Sequence, residues 1–277
     1  MATVGVVVSD IENPHFSEMV RAVEDIAFGQ GYRVLVCNTD ESPEKQQAYL
    51  EALVEERAVG VILSPSDPNG QEITELLDLG IAVVAFDREV SDPRADAVIA
   101  ANTEAARTAV ELLVSAGHQR ITYVSGRTNV ETGAERLDGF ELTMRAHGLD
   151  ANSVDGAFRF ENAHAAVAEL LRRVPVPTAL IAGNNLMTVG ALRAVQDAGL
   201  KVPRDIAVVG FDDPYWAQLV DPPLTTLAQP VRRMAIEAME LLQERITGTR
   251  SRPRRTVHPF ELRCRASCGT ASAGPAQ

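Results

Sequence analysis

Residues 4–16 read Val-Gly-Val-Val-Val-Ser-Asp-Ile-Glu-Asn-Pro-His-Phe, an apolar run that ends abruptly in polar and aromatic residues. The arrangement recurs at residues 206–216, where Ile-Ala-Val-Val-Gly-Phe is followed by Asp-Asp-Pro-Tyr-Trp. A short continuous apolar run indicates a strand buried on both faces. Polar residues after it indicate the edge of a crevice, because open α/β sheets bind ligands outside the carboxyl ends of their strands. Two such edges, far apart in the sequence, predict two sheets that face one small ligand.

Short runs rich in Val and Ile alternate with longer helical patterns along most of the chain. The predicted strands are Val4–Val8, Tyr32–Cys37, Val59–Leu63, Ala82–Phe86, Ala97–Ala101, Ile121–Val124, Ala179–Ala182 and Ile206–Phe211. The predicted helices include Phe16–Gly29, Pro43–Arg57, Thr103–Ala116, Glu131–Arg145, Ala163–Arg172, Leu186–Asp197 and Val231–Ile246. This alternation predicts an α/β fold with doubly wound parallel sheets. One more strand is predicted at Val257–Leu262, after a basic segment that we interpret as a solvated loop.

The composition is typical of a globular protein that buries a sizeable core. The 277 residues are 45% hydrophobic and 23% charged, and their formal net charge is −12. Since basic surfaces bind phosphate backbones, this acidic balance argues against nucleic-acid binding by the chain alone. No apolar run approaches the roughly 18 residues of a membrane span, so no membrane partner is expected. The start Met1-Ala2-Thr3 leads directly into a strand without a secretory signal, which predicts a cytoplasmic protein.

The residue types that carry most enzyme chemistry lack the spacing that such chemistry needs. The three cysteines form no C-x-x-C pair and the five histidines are dispersed, so neither a metal site nor a cofactor is predicted. The motifs of α/β-hydrolases, zinc proteases, nucleotide-binding loops and kinases do not occur in the sequence. We therefore predict a binding protein without catalytic residues.

The polar residues that follow the predicted strands should converge on the crevice. They are Asp10, Asn13, Asn38, Asp40, Ser64, Asp87, Arg88, Asn102, Gly126 to Thr128, Asn184, Asn185, Asp212 and Asp213. Carboxylates and amides hydrogen-bond vicinal hydroxyls, a guanidinium supplies a planar fork of donors, and an aromatic ring covers an apolar sugar face. The set therefore suits a neutral polyol such as a monosaccharide.

Each of these residues also has a structural interpretation. Asn13 and Asn102 could cap the helices that follow them. Arg88 could form a salt bridge with Glu89 or Asp87, and Arg136 could be an ordinary surface cation. The whole set is a stronger argument for a binding site than any single member.

Six stretches of sequence carry a family resemblance. They are Thr3–Phe16, Gly117–Ile121, Gly133–Phe140, Asn184–Met187, Val202–Asp213 and Pro222–Pro230. The most specific are Val202-Pro203-Arg204-Asp205-Ile206 and Pro222-Pro223-Leu224-Thr225-Thr226. In this order and at these separations, the stretches resemble the effector-binding domain of the LacI/GalR family of transcriptional regulators. The resemblance covers residues 3 to 265.

The resemblance implies a type I periplasmic-binding-protein fold, in which two α/β subdomains joined by three crossovers hold an effector in the cleft between them. By motif position, residues 1–102 and 230–255 would form the N-terminal subdomain, and residues 103–229 and 256–269 the C-terminal one. Residues 270–277 are predicted to be a disordered tail. Family members form homodimers and bind operator DNA through a helix-turn-helix headpiece, which we expect to be absent from this chain.

The predicted pocket is also similar to that of the ribose-binding periplasmic protein. The residues that match its sugar contacts are Asn13, Phe16, Asp87, Arg88, Arg136, Phe158, Asn184, Asp212 and Gln229. His15 stands where that pattern has an aromatic ring, and we include it in the site. The resemblance implies that Phe16 and Phe158 sandwich a pentose or related monosaccharide. A purine is disfavoured, since Arg88 stands where a purine sensor would place an aromatic ring.

Two other functions stay open at this point. A periplasmic sugar-binding protein of an importer has the same fold, although the missing signal sequence and the regulator-like stretches argue against it. A dimer would favour the regulator, whereas a monomer would favour the importer. A sugar-processing enzyme is the third possibility, and turnover of a bound sugar would reveal it.

Overall fold

The Val- and Ile-rich runs form two six-stranded sheets in the computed structural model, which describes residues 1–269. Each sheet belongs to its own compact unit. Unit 1 comprises Met1–Ala100 and Pro230–His258, and unit 2 comprises Ala101–Gln229 and residues 259–269. The chain therefore passes from one unit to the other three times. The disordered tail predicted at 270–277 lies outside the described residues.

Two of these three division points differ slightly from the expected boundaries at 102 and 255. Asn102 belongs to unit 2 because it begins the first helix of that unit. Residues 256–258 belong to unit 1 because strand Arg255–His258 pairs with strand Asp96–Ala100.

Unit 1 is a parallel sheet with helices between its strands. Its strands are β1 (Ala2–Val8), β2 (Tyr32–Asn38), β3 (Ala58–Leu63), β4 (Ala82–Phe86), β5 (Asp96–Ala100) and β11 (Arg255–His258). Its helices are α1 (Pro14–Gly29), α2 (Pro43–Glu55), α3 (Gln71–Asp78) and α8 (Val231–Ile246). The strand order is β11-β5-β4-β3-β1-β2, and every pairing is parallel.

Unit 2 repeats this plan with one antiparallel edge strand. Its strands are β6 (Ile121–Ser125), β7 (Asn152–Asp155), β8 (Ala179–Ala182), β9 (Ala207–Phe211), β10 (Thr225–Ala228) and β12 (Glu261–Arg263). Its helices are α4 (Asn102–Ser115), α5 (Glu131–Ala146), α6 (Phe160–Leu170) and α7 (Asn185–Asp197), with short 3-10 helices at Tyr215–Gln218 and Ala266–Cys268. The order is β12-β10-β9-β8-β6-β7, with only β12 antiparallel among the pairings described for residues 1–269. The predicted α/β class with two doubly wound sheets is confirmed.

The continuous apolar strands are explained by burial on both faces of the sheet. Val6 and Val7 of β1 point to opposite faces, and both are fully buried. Removing a valine side chain from water stabilises a fold by about 1.5–3 kcal/mol. Gly5 lets α2 approach closely, because a Cβ at this position would lie only 2.4 Å from Leu53.

The strand predicted at Val257–Leu262 is wrong, because this segment forms two strands in two different sheets. β11 is parallel to β5 in unit 1, whereas β12 is antiparallel to β10 in unit 2. Pro259 lies between them and has no backbone N–H for a sheet ladder, which explains the break. Elements α3, β7 and β10 were not among those predicted.

Candidate functional site

Unit 1 gathers polar side chains at the carboxyl ends of three adjacent strands. Ser9 follows β1, Ser64 follows β3 and Asp87 follows β4. Because β1, β3 and β4 are neighbours in a parallel sheet, these residues lie along one edge. Helix α1 starts at the same edge and carries His15 and Phe16 in its first turn. We call these five residues the unit 1 edge.

Asn13 fixes the start of α1. Its Oδ1 accepts a hydrogen bond of 3.1 Å from the backbone N–H of His15, so Asn13 is the N-cap of the helix. The ring of His15 then packs edge-on against Phe16, with 4.8 Å between centroids. Its Nε2 lies 3.6 Å from Asp87 Oδ1. The cap thus places an imidazole beside the carboxylate that follows β4.

Asp87 has an unusual backbone conformation that turns the chain at the end of β4. Its φ is 68°, in the left-handed region that aspartate tolerates better than most residues. Its N–H donates to Val98 O at 3.0 Å, which ties the turn to the neighbouring strand β5. The carboxylate is therefore held at the sheet edge by its own backbone.

Arg88 forms a buried, two-pronged ion pair with Glu41. Nη1 and Nη2 of Arg88 donate to the two carboxylate oxygens of Glu41 at 2.7 and 2.6 Å. Nη1 also donates to Pro65 O at 3.2 Å, and Nε lies 3.7 Å from Asp87 Oδ2. Of the two carboxylates expected beside Arg88, Asp87 therefore lies within ion-pair distance, while Glu89 accepts a hydrogen bond from Arg255.

Several buried polar atoms of the unit 1 edge have no hydrogen-bond partner within residues 1–269. They include Ser9 Oγ, Ser64 Oγ and both ring nitrogens of His15. Leaving a buried polar atom unsatisfied costs about 1–3 kcal/mol. Such atoms at the carboxyl ends of parallel strands indicate a place where a ligand supplies the missing partners.

In unit 2, Arg136 of α5 is buried and held by neutral groups. Its Nε donates to Asn102 Oδ1 and its Nη1 to Gly183 O, both at 2.7 Å. Its guanidinium lies 4.6 Å from the centroid of the Phe211 ring. The interpretation of Arg136 as a surface cation is therefore wrong. The capping interpretation of Asn102 is also wrong, since Ala101 is the N-cap of α4 and makes no side-chain cap bond.

Asp212 follows β9 in the same way as Asp87 follows β4. Its φ is 66°, and its N–H donates to Leu227 O of the neighbouring strand at 2.8 Å. Gln229 Nε2 donates to its Oδ1 at 2.9 Å, and Asn185 Nδ2 donates to its Oδ2 at 3.2 Å. Each carboxylate oxygen is thus oriented by one neutral amide.

Asp213, the next residue, faces a different set of partners. Arg265 donates to both of its carboxylate oxygens, at 2.7 and 2.8 Å, and Thr226 Oγ1 donates at 2.8 Å. Burial alone would raise the pKa of Asp213, but the hydrogen bonds from Arg265 and Thr226 together lower it. Asp213 therefore anchors β10 and the residues after β12, while Asp212 belongs to the sheet edge.

Asn184 and Phe158 complete the polar end of unit 2. Asn184 Oδ1 accepts from Met187 N at 2.8 Å and caps α7, while its Nδ2 donates to Phe158 O at 3.4 Å. Phe158 has a φ of 61°, and its ring occupies the space beside Gly126, where a Cβ would lie 2.0 Å away. Gly126 is thus required for this position of the ring.

Sequence reasoning did not single out Ser9, Glu41 or Tyr123. Ser9 directly follows β1, so the rule that located the other edge residues could have found it. Glu41 lies in a loop beyond β2, where no periodic pattern exists. The Tyr123 hydroxyl is fully buried without a hydrogen-bond partner, and burial raises its pKa. Tyr123 lies inside an apolar strand, so the sequence offers no signal for it.

The structure brings the ten predicted site residues together in two groups, one in each unit. Asn13, His15, Phe16, Asp87 and Arg88 lie in unit 1, and Arg136, Phe158, Asn184, Asp212 and Gln229 lie in unit 2. Across residues 1–269, no cluster of three or more His, Cys, Asp or Glu could hold a metal ion. In the same part of the chain, no helix has the length and apolar character needed to cross a membrane.

Comparisons with known proteins agree with this architecture. Residues 110–268 match the family model of the periplasmic binding protein-like domain. The chain is 37% identical over 254 residues to the HTH-type transcriptional repressor PurR of Aliivibrio fischeri strain ES114, a match that covers 88% of this chain and 74% of that protein.

Two solved structures extend the similarity to ligand-bound regulators. One is a LacI family transcriptional regulator from Enterococcus faecium with bound ribose (28% identity, TM-score 0.88, 96% of this chain and 98% of that chain covered). The other is a periplasmic binding protein/LacI transcriptional regulator from Alkaliphilus metalliredigens in complex with D-xylulofuranose (26% identity, TM-score 0.86, 96% and 99% covered). With the matched family model and the relatives above 30% identity, these similarities show that the chain belongs to the LacI/GalR family of transcriptional regulators and constitutes an effector-binding domain of that family.

Proposed function

We propose that this domain senses a neutral monosaccharide, a pentose of the ribose type, bound by the predicted residues of both units. The observation that carries the proposal is the set of buried, unpartnered polar atoms at the unit 1 edge, on Ser9, His15 and Ser64. Sugar hydroxyls act as donors and as acceptors, so they can satisfy serine hydroxyls and an imidazole at once.

The carboxylates of the two units add acceptors suited to vicinal hydroxyls. Asp87 lies beside His15, and Asp212 is already oriented by two amides. Hydrogen bonds to charged groups contribute about 1.5–3 kcal/mol each, more than those between neutral groups. The sugars bound to the Enterococcus faecium and Alkaliphilus metalliredigens proteins support the same ligand class.

In this proposal, regulation follows from differential contacts of the sugar. A ligand that touches both groups of residues favours the conformation in which both can reach it. We further propose that the domain forms a homodimer in the cytoplasm, and that sugar binding changes the affinity of the regulator for operator DNA. The coupling is reciprocal, so operator DNA would change the affinity for sugar by the same factor.

A purine is the second candidate effector, favoured by the similarity to PurR. Arg88, the residue after Asp87, argues against a purine. It forms an ion pair with Glu41, and this pair supplies no flat apolar face on which a purine could stack. The two candidates make opposite predictions in a single binding experiment.

That experiment is a thermal-shift panel of D-ribose, D-xylulose, hexoses, hypoxanthine and guanine, followed by titration calorimetry. An effector at a hundred times its Kd adds about 2.7 kcal/mol to stability and raises the Tm by several degrees. We expect one pentose to give this shift, while L-ribose, the mirror-image control, gives none. A shift with a purine and with no sugar would overturn the sugar assignment and leave the regulator family intact.

A further inference from the structure

Next to the unit 1 edge, Arg88 and Glu41 form a charge arrangement that goes beyond a general sugar site. The guanidinium of Arg88 has the planar fork that proteins use to bind phosphate and carboxylate groups. Here, both terminal nitrogens of the fork donate to Glu41, at 2.7 and 2.6 Å. The Arg88 and Glu41 side chains are only 6% and 7% exposed, so the pair is shielded from solvent.

The loop after β2 is built to deliver Glu41 to this position. Asp40 and Glu41 have φ values of 54° and 60°, and two successive left-handed residues turn the chain sharply. The N–H of Glu41 donates to Ser9 O at 3.1 Å, which fixes the loop to the end of β1. Ser42 then caps α2 by accepting from Lys45 N at 3.2 Å. Glu41 is therefore fixed on one side by its own N–H and on the other by the capped start of α2.

The pair also sets the sign of the local charge. Arg88 faces two carboxylates, because its terminal nitrogens donate to Glu41 and its Nε lies 3.7 Å from Asp87 Oδ2. Two acidic side chains thus face one guanidinium, so acidic groups outnumber basic ones here. An anionic ligand group would meet these acidic groups and would have to displace Glu41 from the fork.

We infer that Glu41 is a specificity-determining residue, which makes the site select neutral sugars over phosphorylated or carboxylated ones. This inference rests on the proposed function for its sugar class. It names Arg88 as the latent anion-binding group and Glu41 as the residue that blocks it. Removing the charge of Glu41 should therefore change the ligand class, and not only weaken binding.

The test is titration calorimetry of the Glu41→Gln protein with D-ribose, D-ribose 5-phosphate and inorganic phosphate. Glutamine keeps the shape of glutamate and removes its charge. Glu12→Gln is the matched control, since Glu12 is exposed in the loop before α1 and its replacement changes the net charge equally. We expect Glu41→Gln to bind D-ribose 5-phosphate about tenfold or more tightly than the unaltered protein does. The control should show no gain.

A double variant assigns the gain to Arg88. Arg88→Met together with Glu41→Gln removes both charges of the pair, a change that proteins often tolerate better than the loss of one partner. This protein should bind D-ribose 5-phosphate no better than the unaltered protein. An equal gain in the double variant or in Glu12→Gln would overturn the inference.

The unaltered protein also tests the role of Glu41, even if the variants fold poorly. It should bind D-ribose at least about tenfold more tightly than D-ribose 5-phosphate, and equal affinity would refute the role of Glu41. The binding of inorganic phosphate distinguishes a failure of the sugar assignment from a failure of the role of Glu41. If no sugar binds but Glu41→Gln gains phosphate affinity, the sugar assignment fails and the role of Glu41 stands. If D-ribose binds and Glu41→Gln gains no anion, only the role of Glu41 fails.

Discussion

Units 1 and 2 share one backbone feature, a left-handed aspartate at the end of a strand, but the side chains around that aspartate differ between the units. In each unit, a buried Phe-Asp pair ends a strand and the aspartate turns the chain, with φ values of 68° at Asp87 and 66° at Asp212. Both aspartate N–H groups then donate to a neighbouring strand. The equivalence of Asp87 and Asp212 therefore lies in the backbone.

The side chains around the two aspartates differ in kind. Asp87 has ionisable neighbours, with His15 Nε2 at 3.6 Å and Arg88 Nε at 3.7 Å. The oxygens of Asp212 accept hydrogen bonds from neutral amides, those of Gln229 and Asn185. One fold can thus present the same carboxylate twice, once in a charge network and once in an amide network. Only the former should respond strongly to a change of charge nearby.

The largest effect is expected at Asp96 on β5, a fully buried carboxylate of unit 1 that has arginine partners of its own. Asp96 accepts from Arg245 Nε at 2.8 Å, Arg250 Nη1 at 2.7 Å and Arg254 N at 2.6 Å, and its side chain is inaccessible to solvent. Asp96→Ala should lower the free energy of unfolding by about 3–5 kcal/mol, because it removes a fully buried carboxylate from Arg245 and Arg250, which are themselves only 18% and 15% exposed. Urea denaturation followed by circular dichroism measures the loss.

Unit 2 offers the matched comparison for Asp96. Asp213 also accepts from an arginine of similar exposure, but its own side chain is 18% exposed, whereas that of Asp96 is fully buried. Asp213→Ala should therefore cost less than Asp96→Ala. An equal cost would mean that burial does not distinguish the two networks.

The next effect concerns binding through Asp212. Asp212→Ala should weaken D-ribose binding by about a hundredfold, the loss of roughly two hydrogen bonds to a charged acceptor. Alanine at this left-handed position adds about 1–2 kcal/mol of backbone strain, which a domain of ordinary stability withstands, so the fold should survive. Titration calorimetry and circular dichroism report the two properties separately. Asp221→Ala, at an exposed position, is the control, and an unchanged D-ribose affinity of Asp212→Ala would refute the proposed site.

Two glycines, one in each unit, allow the tightness of packing in the two units to be compared. A Cβ at Gly139 on α5 of unit 2 would lie 2.4 Å from the backbone oxygen of Thr103, at the start of α4. A Cβ at Gly60 on β3 of unit 1 would lie 2.8 Å from Leu242, but that atom ends a side chain that can move. Gly139→Ala should cost about 1–3 kcal/mol and Gly60→Ala less. The same denaturation experiment ranks them, and the reverse order would contradict this account.

The smallest expected effect is a change in folding stability at acidic pH. The pKa of Asp213 in unit 2 is lowered, so its ion pair stabilises the folded state above the pKa of unfolded aspartate, about 3.9. This contribution is lost as the pH falls through the lower folded value. The stability difference between the unaltered protein and Asp213→Asn should therefore be constant above about pH 5 and shrink below about pH 4.

Asp92 provides the equivalent experiment in unit 1. The hydrogen bond from Arg94 lowers the pKa of Asp92 to about 2. The difference between the unaltered protein and Asp92→Asn should therefore persist to lower pH and disappear only near pH 2. A difference that disappears near pH 4 would show that Arg94 does not hold this carboxylate.

The sequence predicts the strands of this fold well where both faces of the sheet are covered. β4 and β8 have the predicted bounds, because uninterrupted apolar runs between turn residues leave few alternatives. β10 was missed because it begins Thr-Thr, and the burial of Thr226 depends on a hydrogen bond to Asp213. That hydrogen bond is a tertiary interaction, which no local pattern encodes.

The site shows the same division between local and tertiary signals. Asp87 and Asp212 follow their strands directly, and Asn184 lies two residues after the end of β8, so a rule about strand ends finds them. Glu41 is brought to Arg88 by two left-handed residues in a loop, and the chain distance between the partners gives no hint of their contact. Sequence therefore locates the edge of each sheet, while the pairing of charges along it requires the folded chain.

The left-handed backbone at Asp87 and Asp212 has a consequence for redesign of this sensor. At such φ values most side chains are strained, and the residues that tolerate the conformation are chiefly glycine, asparagine and aspartate. Few residue types can therefore replace Asp87 or Asp212, the two residues that present the carboxylates. A library that randomises them would consist mostly of unstable members. Diversity placed at Ser9 and Ser64, which are not among the left-handed residues, would explore new ligands without disturbing the turns.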